Sequence, residues 1–422
     1  MPALRPRTTP VPSPRAAAPA VPLGRRSASA AAVLRCILAD GPVARSTVAR
    51  STGMSAAAVT RLYQDLAARR LVRDLPLRSP RPGLGRPHEP VDVDDRYWVA
   101  AGLHVAVPHS TVSVTDLRGR VLAREVVPHQ GTTPSAVLRR AADRLAALLP
   151  SGSDDRAPLG AGLTSGGRVD NVSGDIVVHD LLGWRDVPAA RLVADRLGLP
   201  VRAENHAHAL TRAELLFGAA RDRAGRSAVT LFVGNMIDAA LSTGGVVHHG
   251  PGTTAGEIAH LPLGDPTVRC ACGRSGCLQA TVSDRAMGER AAAAGIVAEP
   301  SFDGLVAAAR AGEPPAVALF RERLRLVGRA AAVLLDLVNP DVLVVVEGGI
   351  RLLPEIAPLL LADLHTEVAG GSFTCTEPDR VVVPGSFGAD ALAVAGTASV
   401  LDAVYTHPLE LPEEAVPHSA PA

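Results

Sequence analysis

Twice along this chain, three short strand-like segments follow one another at turn spacing and then give way to alternating strands and helices. Residues 98–107, 110–117 and 120–127 make the first group, its last turn being Asp116-Leu117-Arg118-Gly119; residues 228–233, 237–241 and 244–248 make the second. After the first group the spacing predicts a helix over 134–149, a buried strand over 158–163, a helix over 188–198 and a strand-to-helix step from Val201 to Phe217. After the second it predicts helices over 283–294 and 314–338, a strand over 342–346 and a last helix over 388–404. A meander repeated in this way restricts the chain to two related α/β lobes with a cleft between them. Its 422 residues leave room for two or three domains.

The stretch ahead of the first meander has a different character. All 43 basic residues are arginine, which rules out any mechanism built on lysine, such as a Schiff base or a P-loop. The formal net charge of +1 hides an asymmetry: residues 1–88 carry 15 Arg against Asp40, Asp65 and Asp74, a balance of +12, while the rest carries 28 Arg against 39 acids, a balance of −11. Residues 1–26, rich in Pro, Ala and Arg, cannot bury a core and read as a disordered basic arm.

Val33, Leu34, Ile37 and Leu38 then recur at helical spacing until Gly41-Pro42. A short helix covers 44–52 and breaks at Gly53. Ser55 stands where an N-cap belongs, ahead of a third helix striped by Val59, Leu62 and Leu66. A strand at Leu71-Val72-Arg73, a Pro/Gly/Arg hairpin over 76–88 and a return strand near 89–93 complete a winged helix-turn-helix over 27–95. A plain three-helix bundle is the blander reading of the helices alone; the wing and the charge favour double-stranded DNA as partner. Ser55, Ala57, Thr60 and Arg61 lie off the apolar stripe, where base edges and phosphates would be met. Arg86, in Gly85-Arg86-Pro87 at the hairpin tip, suits a minor groove. Paired half-sites imply a homodimer or homotetramer. With no apolar run of 18 residues and no signal-peptide core, no membrane partner and a cytoplasmic location are expected.

Three of the five cysteines fall at Cys270, Cys272 and Cys277. In a reducing compartment such clustering reads as metal binding rather than cross-linking. Cys270-x-Cys272 puts two thiolates on a tight turn, and Gly273 and Gly276 let the backbone curl until Cys277 faces the same point; one histidine from a neighbouring segment would close a tetrahedral structural zinc site.

Gly256-Glu257-Ile258-Ala259-His260, followed by Cys270-Ala-Cys272-Gly273-Arg-Ser-Gly276-Cys277-Leu-Gln279, resembles the pattern of the ROK proteins, a family of repressors, open reading frames and sugar kinases. Leu182-Gly183-Trp184 and Pro200-Val201-Arg202-Ala203-Glu204-Asn205 match it in order and spacing. The resemblance covers about 27–405 and implies an α/β architecture: an N-terminal winged helix-turn-helix followed, over 96–405, by a two-lobed actin-like domain of the sugar-kinase-like, ribonuclease H-like class, with residues 406–422 as a disordered tail. It names His260 as the fourth zinc ligand and points to the repressor branch.

The resemblance also implies what a kinase of this family would need. Its first phosphate loop carries an Asp and a glycine pair; here the stretch is Gly102-Leu103-His104-Val105-Ala106-Val107. Its second is glycine-rich; here it is Gly234-Asn235-Met236-Ile237-Asp238. Its general base is the Asp of Glu-Asn-Asp; here the sequence is Glu204-Asn205-His206. Gly348-Gly349 is retained. Phosphoryl transfer depends on positioning groups, so ATP chemistry is expected to be lost. By the same carry-over, an effector such as a sugar or sugar phosphate would meet Asp180, Asn205, His206, Glu257, His260 and Gln279. The competing readings are an active sugar kinase with a DNA-binding arm, and a regulator whose ROK domain holds a partner protein.

Overall fold

The structure, a computed structural model, describes residues 24–76, 90–150 and 155–413. Helix α1 (Arg25–Asp40) buries Val33, Leu34, Ile37 and Leu38 against α2 (Arg45–Thr52) and α3 (Ala56–Ala67). Between α2 and α3 the chain turns at Gly53, whose φ of 68° lies in the left-handed region and whose N–H bonds back to Arg50. Ser55 caps α3 by accepting from the Ala58 N–H at 3.3 Å, and Val59, Leu62, Tyr63 and Leu66 make its inner stripe. Strands β1 (Val72–Asp74) and β2 (Val91–Val93) pair antiparallel. Arg86 and the hairpin tip lie outside the described residues, as does most of the expected basic arm; α1 begins two residues before the boundary expected at 27.

The first meander is β3 (Trp98–Val105), β4 (His109–Asp116) and β5 (Val121–Pro128). Helix α4 (Pro134–Leu148) and β6 (Ala157–Ser165) follow, then a small antiparallel sheet of β7 (Arg168–Asp170), β8 (Asp175–His179) and β9 (Trp184–Val187), then α5 (Ala189–Leu197) and β10 (Val201–Asn205). Helix α6 (His206–Phe217) and the short α7 (Arg221–Ala224) lead to the second meander, β11 (Ser227–Val233), β12 (Ile237–Thr243) and β13 (Val246–His248). Helices α8 (Leu278–Val282), α9 (Asp284–Ala293), α10 (Phe302–Arg310) and α11 (Pro314–Val338) precede β14 (Val342–Glu347); α12 (Gly348–Leu352), α13 (Ala357–Gly371), α14 (Pro378–Val381), β15 (Val382–Pro384) and α15 (Ala391–Thr406) complete the order.

The sheet orders are β10-β6-β3-β4-β5 and β13-β12-β11-β14-β15. In each, the first meander strand pairs antiparallel with the second and parallel with the next strand in the chain, so the two sheets share one topology and the lobes are duplicates in pattern. Helices α4 and α5 cover one face of the first sheet, and α11 and α13 cover one face of the second. Between the sheets lie α6 and α15. Gly102 and Gly162 let α15 approach the first sheet closely: a Cβ at Gly102 would stand 2.9 Å from the Gly396 carbonyl carbon.

The head is not tethered loosely. Its core runs into the body through Trp98, Leu117, Val400, Leu401 and Tyr405. The expected tail from 406 is corrected in part. Residues 408–410 form a 3-10 turn, Leu409 and Leu411 pack into this shared core, and Arg69 Nε donates to the Leu411 carbonyl at 2.9 Å. Two apolar residues within three positions were enough to anchor a segment whose composition looked like solvent-exposed chain.

Candidate functional site

Three places hold the residues that the sequence singled out. On the head, α3 leaves Ser55, Ala57, Arg61 and Gln64 exposed and Thr60 half-buried. The Thr60 hydroxyl donates to the Ala56 carbonyl at 2.9 Å, and Ser55 is occupied by its cap, so both serve the helix first. Arg61 has no hydrogen-bond or ion-pair partner among the described residues, in contrast to Arg26 and Arg45, which pair with Asp65 and Asp74.

The cysteine cluster is built by backbone pairing. The Leu278 N–H donates to the Leu261 carbonyl at 3.0 Å and the Gln279 N–H to the Ala259 carbonyl at 2.8 Å, which brings His260 beside Cys277. The Cys270 N–H donates to the Arg274 carbonyl at 2.8 Å, and Gly273 and Gly276 take φ of 88° and 77°, folding the knuckle back. The ligand atoms of His260, Cys270, Cys272 and Cys277 lie within 4.8 Å of one another, with Cys270 Sγ to His260 Nδ1 and Cys272 Sγ to Cys277 Sγ both 3.6 Å. Zn–S bonds of about 2.3 Å and Zn–N bonds of about 2.0–2.1 Å in a tetrahedron give edges of about 3.5–3.8 Å, so this donor set fits a four-coordinate metal through the Nδ1 nitrogen. Hydrogen bonds from the Arg274 backbone and guanidinium pull the exposed Cys272 thiol down to about 6, which favours the ligating thiolate.

The cleft between the lobes is bridged by side chains. His206, at the start of α6, sits with Nε2 2.7 Å from Asp238 Oδ2 on β12 and Nδ1 3.4 Å from His104 Nε2 on β3, so one ring links both lobes. Asn235 Nδ2 donates across the cleft to the Val107 carbonyl at 2.6 Å. Gln279 holds that loop in place: its Oε1 accepts from the Ile237 N–H at 2.9 Å, and its Nε2 donates to the Asn235 carbonyl. Met236 lies against Gly166, where a Cβ would come within 2.6 Å of it. Burial, then the neighbouring His206, lowers the His104 pKa well below the ordinary histidine value, and burial takes His179 to about 4, so both rings are neutral.

Of the expected effector residues, Asp180, Glu257 and His260 gather within charge reach of one another and of Asp238. Asp180 is exposed and pairs with Arg185 at 2.6 Å. Asn205 is committed locally: its Oδ1 accepts from the Ala207 N–H at 2.8 Å and its Nδ2 donates to the Gly167 carbonyl at 2.9 Å, so it caps α6 and fastens β7. Gln279 is spent on the 235–237 loop. Asp238, which the sequence alone suggests would repel phosphate, is the partner of His206; the alternation of β12 that points it inward was legible, but its partner on another element was not. Arg351 and Asn235 carried no sequence signal as site residues.

Residues 100–401 match the ROK family. The chain belongs to it. This ROK chain is 34% identical over 394 residues to the transcriptional regulator Rv0485 of Mycobacterium tuberculosis, covering 90% of this chain and 86% of that one. It is 26% identical over 260 residues to a glucokinase of Streptomyces coelicolor, covering 58% and 80%. The solved structure of a ROK family transcriptional regulator, a homologue of the E. coli MLC protein, superposes with a TM-score of 0.70 at 22% identity over 91% of this chain and 98% of that one, which establishes the two-lobed fold. No helix among the described residues is long and apolar enough to cross a membrane.

Proposed function

We propose that this ROK protein is a DNA-binding transcriptional regulator, a repressor of carbohydrate-related genes, whose zinc-stabilised body responds to a sugar or sugar-phosphate effector and has lost ATP-dependent phosphorylation. The observation that carries the reading is the fusion of a helix-turn-helix head to the ROK body in one chain, over a length shared with the mycobacterial regulator, whereas the matched segment of the glucokinase covers 58% of this chain. Relatives named as the repressor Mlc of E. coli and the xylose repressor of Bacillus spizizenii support the repressing, sugar-linked direction.

Loss of phosphorylation is supported by the bridged cleft. The two segments that would cradle phosphates touch each other through Asn235 and Val107, and the position of the family's base is a histidine already bonded to Asp238. Zinc is the metal that a three-cysteine, one-histidine tetrahedron selects; closed by four protein ligands, it would brace the 256–279 segment rather than act on a substrate. Two heads in a homodimer or homotetramer, acting in the cytoplasm, would meet paired half-sites.

The test is genome-wide mapping of bound DNA, followed by anisotropy titrations on a recovered site. Arg61→Ala is expected to weaken binding about tenfold or more and, if Arg61 contacts a phosphate, to lower the salt slope by about one. Affinity and slope both unchanged would remove α3 from the interface. A coupled assay with ATP and a panel of hexoses is expected to stay at background, and turnover above it would restore the kinase reading.

A further inference from the structure

The cleft contains a cavity of about 360 Å³ that the proposed sugar-side residues do not account for: His206 reaches it, but Asp180, Asn205, Glu257, His260 and Gln279 do not line it. It lies between the 105–107 and 234–236 segments and is walled largely by apolar side chains such as Val105, Phe232, Met236, Phe302 and Leu392. A second, more apolar cavity of about 250 Å³ opens at the C-terminal ends of β14 and β15. One residue, Arg351 on α12, lines both.

Arg351 is half-buried, and its guanidinium makes no hydrogen bond or ion pair among the described residues. The acidic groups that might have claimed it are engaged elsewhere. Asp284 and the fully buried Glu347 are both held by Arg323, at 2.7 and 3.1 Å, and Glu347 also accepts from the Ile350 N–H. The local charge is therefore balanced, yet five donors are left without acceptors in a partly dehydrated place. In the same cavity the Nδ1 of His104, a residue 2% exposed, is buried without a partner, and His109 is a further half-buried imidazole with no bond to the protein. The charge of Arg351 reaches both rings and disfavours their protonation, which places the three groups near one another. Donors without acceptors beside apolar walls define the missing partner: an oxyanion attached to an apolar body.

We propose that the interlobe cavity is a binding site for a small organic anion, a carboxylate or phosphate ester, whose charged end is held by Arg351 and His104 and whose apolar part occupies the walls between the two cavities. The volume suits a molecule of that size. The chemistry differs from a nucleotide cradle, since side-chain donors replace the glycine N–H groups, and the Asn235–Val107 bridge closes the space a triphosphate would need. The site does not depend on what the head recognises, so it is tested separately from DNA binding.

The probes are phenyl phosphate and benzoate, with benzyl alcohol as the neutral counterpart, titrated into the full chain by calorimetry and followed by ligand-observed NMR. At least one anion is expected to bind at millimolar concentration or better and benzyl alcohol at least tenfold more weakly; which anion binds separates the phosphate from the carboxylate source. Arg351→Gln is expected to weaken the anion about tenfold or more. His104→Phe, which keeps the ring and removes Nδ1, is the second variant, and an unchanged far-UV spectrum and melting temperature certify folding. Binding of neither anion, equal binding of benzyl alcohol, or retention of full affinity in both variants would overturn the proposal.

Discussion

Asp402 offers the sharpest test of how the head is held to the body. It stands on α15, where Arg212 from α6 donates to Oδ2 at 2.6 Å and Arg35 from α1 donates to Oδ1 at 3.3 Å. Arg212 in turn grips the buried Glu204 at 2.9 Å, and Arg35 also reaches the Thr406 hydroxyl at 2.9 Å and the Tyr405 carbonyl at 3.2 Å. In Asp402→Ala the short bond to Arg212 is lost at a site where both side chains are about a fifth exposed, 22% and 23%. A charge-assisted bond of that kind is worth about 1.5–3 kcal/mol, to be discounted for its partial exposure. The bond to Arg35 is longer, and Arg35 is 40% exposed, so it adds about 0.5 kcal/mol at most. Arg212 keeps Glu204 and is not orphaned, which caps the total at about 2–3 kcal/mol. Urea denaturation at neutral pH should show that loss. Hydrogen exchange should show faster exchange in α1 and the start of α6, with β11 and β12 unchanged. A loss below about 0.5 kcal/mol, or acceleration spread evenly over the chain, would refute the idea that this carboxylate fastens the two units.

Other consequences are as direct. Protein purified without chelator should carry about one zinc per chain; Cys272→Ser should lower that stoichiometry and raise protease sensitivity within 256–279, and a metal content near zero in the parent would reject the site. The buried histidines impose a pH dependence. His179, His208 and His249 are lowered to about 4 and His104 well below its ordinary value of 6.5, chiefly by burial. Below about 6.5 the unfolded chain binds protons that the folded chain refuses, so stability should be full above that pH and fall as the pH drops from about 6.5 toward 4. A flat unfolding free energy across that window would contradict the burial of these rings. Tyr405→Phe should cost about 1 kcal/mol, because its hydroxyl donates to the Leu117 carbonyl at 2.7 Å inside the shared core, and an unchanged urea midpoint would mean that water replaces it.

Much of the architecture was legible because it rests on local periodicity. The two meanders, the capped third helix and the long α11 all appear within a few residues of where apolar spacing puts them, since each is set by side chains a few positions apart. The cysteine knuckle was legible for the same reason: its ligands lie within eight positions, and its glycines take the left-handed conformations that the curl requires. What the spacing could not reveal are pairings between elements remote in sequence. Asn205 and Gln279 looked available for a ligand, yet each hydrogen-bonding group meets a backbone partner, 38 residues away in one case and 42 and 44 in the other. The small sheet of β7 to β9 was missed because its strands are three to five residues long, too short for an alternation to register. The anchored segment at 408–411 was missed because two apolar residues among prolines and acids carry no period at all.

The same pairings set the terms on which a ligand can act. Opening the cleft breaks the Asn235–Val107 bond and separates His104 from His206, each about 1 kcal/mol in net terms. A ligand that shifts the lobes must therefore prefer the shifted state by more than about 2 kcal/mol, some thirtyfold in affinity, before populations change appreciably. Glu204, the anchor of the Arg212–Asp402–Arg35 ladder, lies one residue before Asn205 and two before His206, at the end of β10 where it enters α6. His249, on the segment that leads to Glu257, also contacts Arg212, at 3.2 Å. A displacement of either the β10–α6 junction or the 249–257 segment thus alters the partners of a guanidinium whose far side, through Asp402, holds the first helix of the head. Spatial continuity alone does not establish energetic coupling. A double-mutant cycle between Glu204→Gln and Arg35→Met supplies the missing quantity: an interaction free energy above about 0.5 kcal/mol in the stability of α1 would establish coupling, and strict additivity would mean that the cleft and the head are held by the same residues without informing one another.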